Sequence, residues 1–371
     1  MARTNFVTGV LLDAAEESRM SRVLRTAIVG LGHLHPRHYM PLFKMTGASR
    51  VEGVMEPDAA LREPFCAEFG VKGYATLDAM LRDGHWDLAA IFLPHADCPA
   101  AAEACAAAGT HVFVEKPMAA SVDGAVRIVK AAAAHNVIAA TGYAWRLHPA
   151  AREMKRLIND GVIGNVISLE GRCAAGRVQR YLDGHSPWIL QKARSGGGPM
   201  FNLGVHWIDL FRWMMADEVT EVCGENVKVN TAYDIEDNSF AFLRFGRGAI
   251  ASLNISYTVP DAFPNGRDLY VAVRGTRGVL SWSPAYEGAK DIVFVCTDHP
   301  DFAATPCREL SFELKKVAGY SGVMGWEMVN DLVTAILNGT PPAIPGEEGV
   351  AALRVVEAVY RSAAAKKWVA V

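Results

Sequence analysis

The chain has 371 residues, which at about 150 residues per domain implies about two domains. Hydrophobic residues make up 51% and charged residues 21%, so a sizeable core is expected and a disordered chain is excluded. The formal net charge of -3 lacks the basic excess of a nucleic-acid or anionic-membrane binder, so neither partner is expected.

The stretch from Met1 to Met20 precedes the first clear strand. It carries Arg3 and a weak apolar run, then Asp13, Glu16 and Glu17, with no small-residue cleavage site, which argues against a secretory signal. Residues 1–21 read as an N-terminal extension. No later run approaches the roughly 18 apolar residues of a membrane-spanning helix. The cysteines (Cys66, Cys98, Cys105, Cys173, Cys223, Cys296, Cys307) are scattered, odd in number and without a CxxC pair. Reduced thiols of a cytoplasmic protein are expected, not a disulfide framework or a zinc site.

From Thr26 short apolar runs alternate with helical patterns. Thr26–Val29 is a strand, followed by the turn Gly30-Leu31-Gly32 and a helix to about Met45. Val51–Met55 is a strand and Asp58–Phe69 a helix. Leu88–Leu93 is a continuous apolar run ending at Pro94. Ala100–Ala108 is a helix closed by Gly109. His111–Val114, the helix Val122–His135 and the strand Val137–Thr141 complete the series. Continuous apolar strands separated by helices predict a parallel sheet covered on both faces, a doubly wound nucleotide-binding architecture over residues 22–142.

The pattern changes near Tyr143. After the helix Pro149–Asn159, strand-like segments follow one another. Phe240–Phe245 and Ala249–Tyr257 read as a hairpin, as do Asp268–Val273 and Gly278–Trp282. Two helices close the chain, Val323–Asn338 and Glu347–Ala365. Residues 143–371 are therefore expected to form an α+β domain with a large, mostly antiparallel sheet.

The first glycine of Gly30-Leu31-Gly32 permits a tight turn, and the second lets backbone approach a pyrophosphate at a helix N-terminus. The third small residue of the GxGxxG pattern is replaced by His35. Glu56 ends the second strand, 24 residues beyond Gly32, where a carboxylate accepts from an adenosine ribose 2′-hydroxyl and repels a 2′-phosphate. Together these favour NAD over NADP. His33, His35 and His38 crowd the turn, but no cysteine or carboxylate completes a coordination shell, so no metal is expected. Strand ends in such a sheet face the ligand crevice. His33, Leu34, Pro94, His95, Glu115 and Lys116 are accordingly cofactor-side candidates. Lys116 can also reach a substrate hydroxyl, and Pro117 after it is the residue type that admits a cis peptide. In the glycine-rich block Ser195–Asp209 a helix runs to about Met215, and Asn202 and His206, four apart, share a face.

Gly30-Leu31-Gly32, Arg37-His38, Glu115-Lys116-Pro117, Arg146-Leu147-His148-Pro149, the Gly196–Asp209 block and the stretch from Gly339 to Ser362 resemble the glucose–fructose oxidoreductase / inositol dehydrogenase / MocA family. The resemblance runs from Arg25 to the end. It implies a nicotinamide cofactor, sugar or polyol substrates, and a C-terminal sheet that mediates homo-oligomerisation as a dimer or tetramer. It implies that the lysine of the EKP motif and two residues of a DxGxH-like segment carry the chemistry. Here these are Lys116, His206 and, where the family has aspartate, Asn202. An amide orients a hydroxyl but takes no proton.

The resulting expectation is hydride transfer between NAD and a secondary alcohol or carbonyl. His206 acts as acid/base, since an imidazole near pKa 6.5 needs little tuning. Lys116 steadies the substrate oxygen, or acts as the base itself if burial lowers its pKa, and Asn202 orients the hydroxyl. Tyr143 and Arg146, just past the last Rossmann strand, join Lys116, Asn202 and His206 as substrate contacts. Arg172, Arg177, Arg180, Tyr181 and His185 form a polar stretch suited to a substrate loop. Alternatives are a glycoside-cleaving enzyme that keeps its NAD, and a non-catalytic NAD- or sugar-binding regulator, which Asn202 brings into view.

Overall fold

The computed structural model describes residues 22–175, 177–260, 262–285 and 290–371. The extension assigned to residues 1–21 lies outside the described residues. Six parallel strands form the first sheet: β1 (Leu24–Val29), β2 (Ser49–Met55), β3 (Lys72–Tyr74), β4 (Leu88–Ile91), β5 (His111–Val114) and β6 (Ala139–Thr141), in the order β3-β2-β1-β4-β5-β6. Interleaved with them are α1 (Pro36–Met45), α2 (Ala59–Phe69), α3 (Leu77–Arg82), α4 (Cys98–Ala107) and α5 (Val122–Ala134). All four residues of β4 are buried, as a central strand covered on both faces demands. Order reverses between β1 and β4, which opens a crevice at their carboxyl ends. β3 and α3 are additions to the predicted elements; Lys72-Gly73-Tyr74 is too short to show a period.

The second sheet has nine strands: β7 (Val166–Ala175), β8 (Val219–Val227), β9 (Asn238–Phe245), β10 (Ile250–Ser256), β11 (Arg267–Gly275), β12 (Gly278–Trp282), β13 (Lys290–Thr297), β14 (Cys307–Glu313) and β15 (Val369–Ala370). Their order is β14-β13-β12-β11-β7-β10-β9-β8-β15, and only the β7–β10 pair is parallel. Both expected hairpins, β9–β10 and β11–β12, form. The helices of this half are α6 (Pro149–Asn159), α7 (Val178–Asp183), α8 (Lys192–Ser195), α9 (Val205–Met215), α10 (Gly322–Asn338) and α11 (Gly346–Ala365).

One face of the nine-stranded sheet is packed and the other is open. In β9, Ala241 and Leu243 are buried while Phe240 and Phe242 are exposed; in β13, Val293 and Val295 are buried while Ile292 and Phe294 are exposed. α9 is buried along nearly its whole length under the packed face, and the Trp207 indole donates to the Tyr270 carbonyl at 3.0 Å. The last two helices return to the nucleotide-binding half. α10 packs on α1 and α11 on α5, so one continuous core spans both sheets.

The cysteines depart from expectation at one pair. Cys296 on β13 and Cys307 on β14 occupy directly paired positions and are joined as a disulfide. Neither strand was anticipated from sequence, so nothing placed these two sulfurs opposite each other. Cys66, Cys98, Cys105, Cys173 and Cys223 are free thiols. No helix among the described residues is long and apolar enough to cross a membrane.

Candidate active site

Gly30 follows β1 directly, and its φ of 94° lies in the left-handed region. A Cβ there would stand 2.8 Å from Leu93 Cδ2 and 3.1 Å from the Phe92 carbonyl oxygen, so the turn needs glycine twice over. Glu56, buried at the end of β2, ties the turn down: its Oε2 accepts from the Leu31 N–H at 2.7 Å and its Oε1 from the Asp58 N–H at 3.0 Å. Each carboxylate oxygen keeps a lone pair for a further donor. The Arg62 guanidinium donates to the Glu56 and Pro57 carbonyl oxygens beside it.

The chain's second half closes over the same turn. The Trp188 indole donates to the Gly32 carbonyl at 2.5 Å, and a Cβ on Gly184 would collide with Leu34. His33, at the turn, faces Trp188 with ring centroids 5.9 Å apart. His95, just past Pro94 at the end of β4, packs edge-on against the same indole at 4.8 Å and engages the Ser195 carbonyl through Nδ1, leaving buried Nε2 without a partner. Burial pushes His95 down to about 4 and His33 well below the usual imidazole range.

β5 delivers Glu115 and Lys116, and the Lys116–Pro117 peptide is cis. Their side chains part. Glu115 turns into the protein, accepts from the Tyr39 hydroxyl at 2.9 Å, and lies 3.3 Å from His35 Nδ1. Lys116 points into a cavity of about 550 Å³, together with Asn202, His206, His33 and Leu34. Its ammonium donates to the Asn202 backbone carbonyl and to Asn202 Oδ1, each at 3.0 Å. Burial lowers Lys116 to about 8; Glu115 opposes the drop and Arg180 adds to it.

Asn202 lies in a π-helical turn (Met200–Gly204) immediately before α9, and His206 in the first turn of α9. π-turns recur at functional sites because they re-aim side chains. The amide is fully used: Nδ2 donates to the Tyr181 hydroxyl at 2.7 Å and the Tyr257 hydroxyl at 3.0 Å. His206 is buried with Nδ1 unpartnered. Burial, then the charge of Lys116, holds it well below the usual imidazole range, so it is neutral at pH 7.

Two expected substrate contacts stand elsewhere. Arg146 is buried and bidentate on Asp209 (2.7 and 2.5 Å), with Glu348 at 2.6 Å, so its guanidinium is spent on joining its own turn, Ala144–Leu147, to α9 and α11 and does not line the cavity. Tyr143 sits behind His206, ring centroids 6.2 Å apart, also outside the cavity lining. Within the polar stretch, Arg180 and Tyr181 reach the cavity, whereas Arg172 pairs with Asp268 across β7 and β11. Tyr257, Arg267, Lys316, Trp188 and Tyr320 were not anticipated. They arrive from four separate segments and carry no local spacing that marks them.

Comparison with known proteins places two family models on the chain. Residues 24–143 match "Oxidoreductase family, NAD-binding Rossmann fold" and residues 151–281 match "GFO/IDH/MocA C-terminal domain". Myo-inositol 2-dehydrogenase of Thermotoga maritima is 24% identical over 352 residues, 93% of this chain and 97% of that protein. The scyllo-inositol 2-dehydrogenase (NAD(+)) of Bacillus subtilis is 26% identical over 269 residues, 70% of this chain and 74% of that protein. Among solved structures, levoglucosan dehydrogenase in complex with NADH and levoglucosan shares the fold with a TM-score of 0.82 at 18% identity, covering 94% of this chain and 99% of that one.

Proposed function

The chain belongs to the GFO/IDH/MocA family of oxidoreductases, and from that premise we propose that it is an NAD-dependent dehydrogenase of a sugar, inositol or related polyol, with His206 as acid/base beside Lys116. The observation that carries this reading is the convergence of Lys116, Asn202 and His206 on one cavity at the carboxyl ends of the Rossmann strands. The residues at the crevice fit a dinucleotide: a glycine turn with φ of 94°, Glu56 at the ribose position, and a buried unpartnered nitrogen on His95. NAD is favoured over NADP because a buried carboxylate repels a 2′-phosphate.

Bound nicotinamide would supply the two-electron acceptor, taking hydride from the carbinol carbon to give a ketone and NADH. The chain's own task is the proton and the charge. The alcohol proton passes to neutral His206 on its cavity side, because Nδ1 is enclosed. An ammonium has three donors. Two of those on Lys116 go to Asn202, leaving one for the substrate oxygen as negative charge develops on it. Asn202 is the positioning residue: it takes no proton but fixes the direction of that third N–H. No aspartate or glutamate among the described residues lines the cavity, so His206 is the base without carboxylate assistance.

The open face of the nine-stranded sheet supports a homo-oligomer, since Phe240, Phe242, Ile292 and Phe294 lie exposed on it. The test of the activity is NADH absorbance with purified protein, NAD or NADP, and a panel of inositols, aldoses, uronic acids and anhydrosugars. NADH growth with one class supports the dehydrogenase. Silence across the panel with NAD binding intact would overturn it in favour of an enzyme that keeps its NAD, or of a regulator.

A further inference from the structure

The cavity that receives the substrate has charge of one sign. Lys116, Arg180, Arg267 and Lys316 line it, along with four histidines, and among the described residues no aspartate or glutamate does. The buried carboxylate of Glu115 stands behind the lining, bound by the Tyr39 hydroxyl and beside His35. An uncharged polyol needs one cation, at the reacting oxygen, and Lys116 meets that need. A cleft lined by side chains of one sign of charge draws an anion in preference to a neutral polyol. Burial is the main cause that lowers Lys116, His35 and His206; the nearby charge of Arg180 adds to it for the first two and that of Arg267 for the third.

Arg180 is solvent-exposed where it lines the cavity, on a segment fixed against the site. It sits on α7 next to Tyr181, whose hydroxyl is held by Asn202, and its guanidinium lies 6.0 Å from the Tyr181 ring centroid. The same segment presses on the glycine turn through Gly184 and Trp188. Lys316 enters from the segment after β14, which also contributes Leu314 and Tyr320 to the lining.

We infer that the substrate is an acid: a monosaccharide-sized polyol bearing an anionic oxygen group, carboxylate or phosphate ester, which Arg180 and Lys316 hold while its carbinol faces Lys116 and His206. This rests on the dehydrogenase reading and names the substrate class for it. The cavity of about 550 Å³ falls within the roughly 300–1,000 Å³ of small-molecule sites.

The experiment compares neutral and anionic partners on the NAD-loaded full chain: galactose with galacturonate, and glucose with gluconate and with glucose 6-phosphate. Both NADH formation and calorimetric binding are read. Anions are expected to exceed their neutral partners in affinity and kcat/KM, with binding that weakens as NaCl rises, and the carboxylate and phosphate arms show which group is used. Arg180→Gln is expected to cut anion affinity about tenfold, the effect of one lost charge-assisted hydrogen bond, and to shrink the preference. Turnover of neutral polyols equal to or better than that of the acids would overturn the inference and leave the dehydrogenase standing. Salt-sensitive binding of acids with no NADH from any compound would do the reverse. Weakened NAD binding in Arg180→Gln with an unchanged acid preference would assign the charge to the cofactor and overturn the inference.

Discussion

The side-chain oxygen of Asn202 lies 3.0 Å from the Lys116 ammonium, and the other end of the same amide binds two tyrosine hydroxyls. An aspartate at this position would keep the contact to Lys116, and Tyr181 and Tyr257 would turn to donate. A carboxylate within hydrogen-bond reach of an ammonium raises its pKa, by about 1–3 units in comparable pairs. Asn202→Asp is therefore expected to move the alkaline limb of the kcat/KM profile upward, while Asn202→Ala lowers kcat/KM at every pH. An unshifted limb in Asn202→Asp would separate Lys116 from that limb.

The pH profile of the unaltered protein follows from the same two groups. Lys116 is lowered from its ordinary 10.5 to about 8, so its ammonium is present below that pH and lost above it. kcat/KM is expected to fall as pH rises through about 8. His206 is lowered well below 6.5 by burial, so its neutral form persists as pH drops past 6.5, and the acid limb lies below the range of an ordinary histidine. His206→Ala should cost roughly 10²–10⁴ in kcat, the usual worth of a positioned acid/base. Lys116→Met should abolish the alkaline limb along with most activity.

These groups were legible in sequence because each belongs to a short motif at a strand end or helix start. The Rossmann half was legible too, since Leu88–Ile91 and His111–Val114 are unbroken apolar runs between helices. What was not legible depends on direction and distance. Glu115 and Lys116 are adjacent, yet one side chain enters the core and the other the cavity, and only the packing of Tyr39 against Tyr320 and Phe113 shows which. Arg146 reads as a crevice residue until Asp209 and Glu348 arrive from distant helices to claim it. β13 carries a continuous apolar run, Ile292-Val293-Phe294-Val295, whose alternation shows only in burial, and its pairing with β14, which sets Cys296 opposite Cys307, is a matter of register.

Cofactor choice is expected to turn on Glu56. Its carboxylate is held by two backbone N–H groups at the ribose position, with the Arg62 guanidinium on its own carbonyl oxygen. Glu56→Ser removes the repulsion toward a 2′-phosphate and leaves an arginine beside it. The ratio of kcat/KM for NADP to that for NAD should rise about tenfold or more, the worth of one charged hydrogen bond. Steady-state kinetics with both cofactors measures it; an unchanged ratio would remove Glu56 from the discrimination.

Oligomerisation is expected to depend on the open sheet face. Phe242 is 53% exposed at the centre of β9, with Phe240 beside it on the same face. Phe242→Asp places a charge there without touching the core, because Ala241 and Leu243 supply the buried face. Sedimentation should show dissociation toward smaller species with secondary structure unchanged. An oligomer that survives both Phe240→Asp and Phe242→Asp is built on another surface.

Arg146 provides the counter-case to the cavity residues. Its guanidinium is bidentate on the fully buried Asp209 and shares Glu348 with Arg212. Removing one partner of a buried ion pair strands the other charge, which costs about 3–5 kcal/mol. Arg146→Ala is thus expected to lower the melting temperature sharply. Burial already raises Asp209 to about 6, so without the arginine the acid would protonate more readily, and the loss should be smaller at pH 5 than at pH 8. Differential scanning calorimetry at the two pH values reads this directly. A variant that melts normally and loses only substrate affinity would instead return Arg146 to the substrate site.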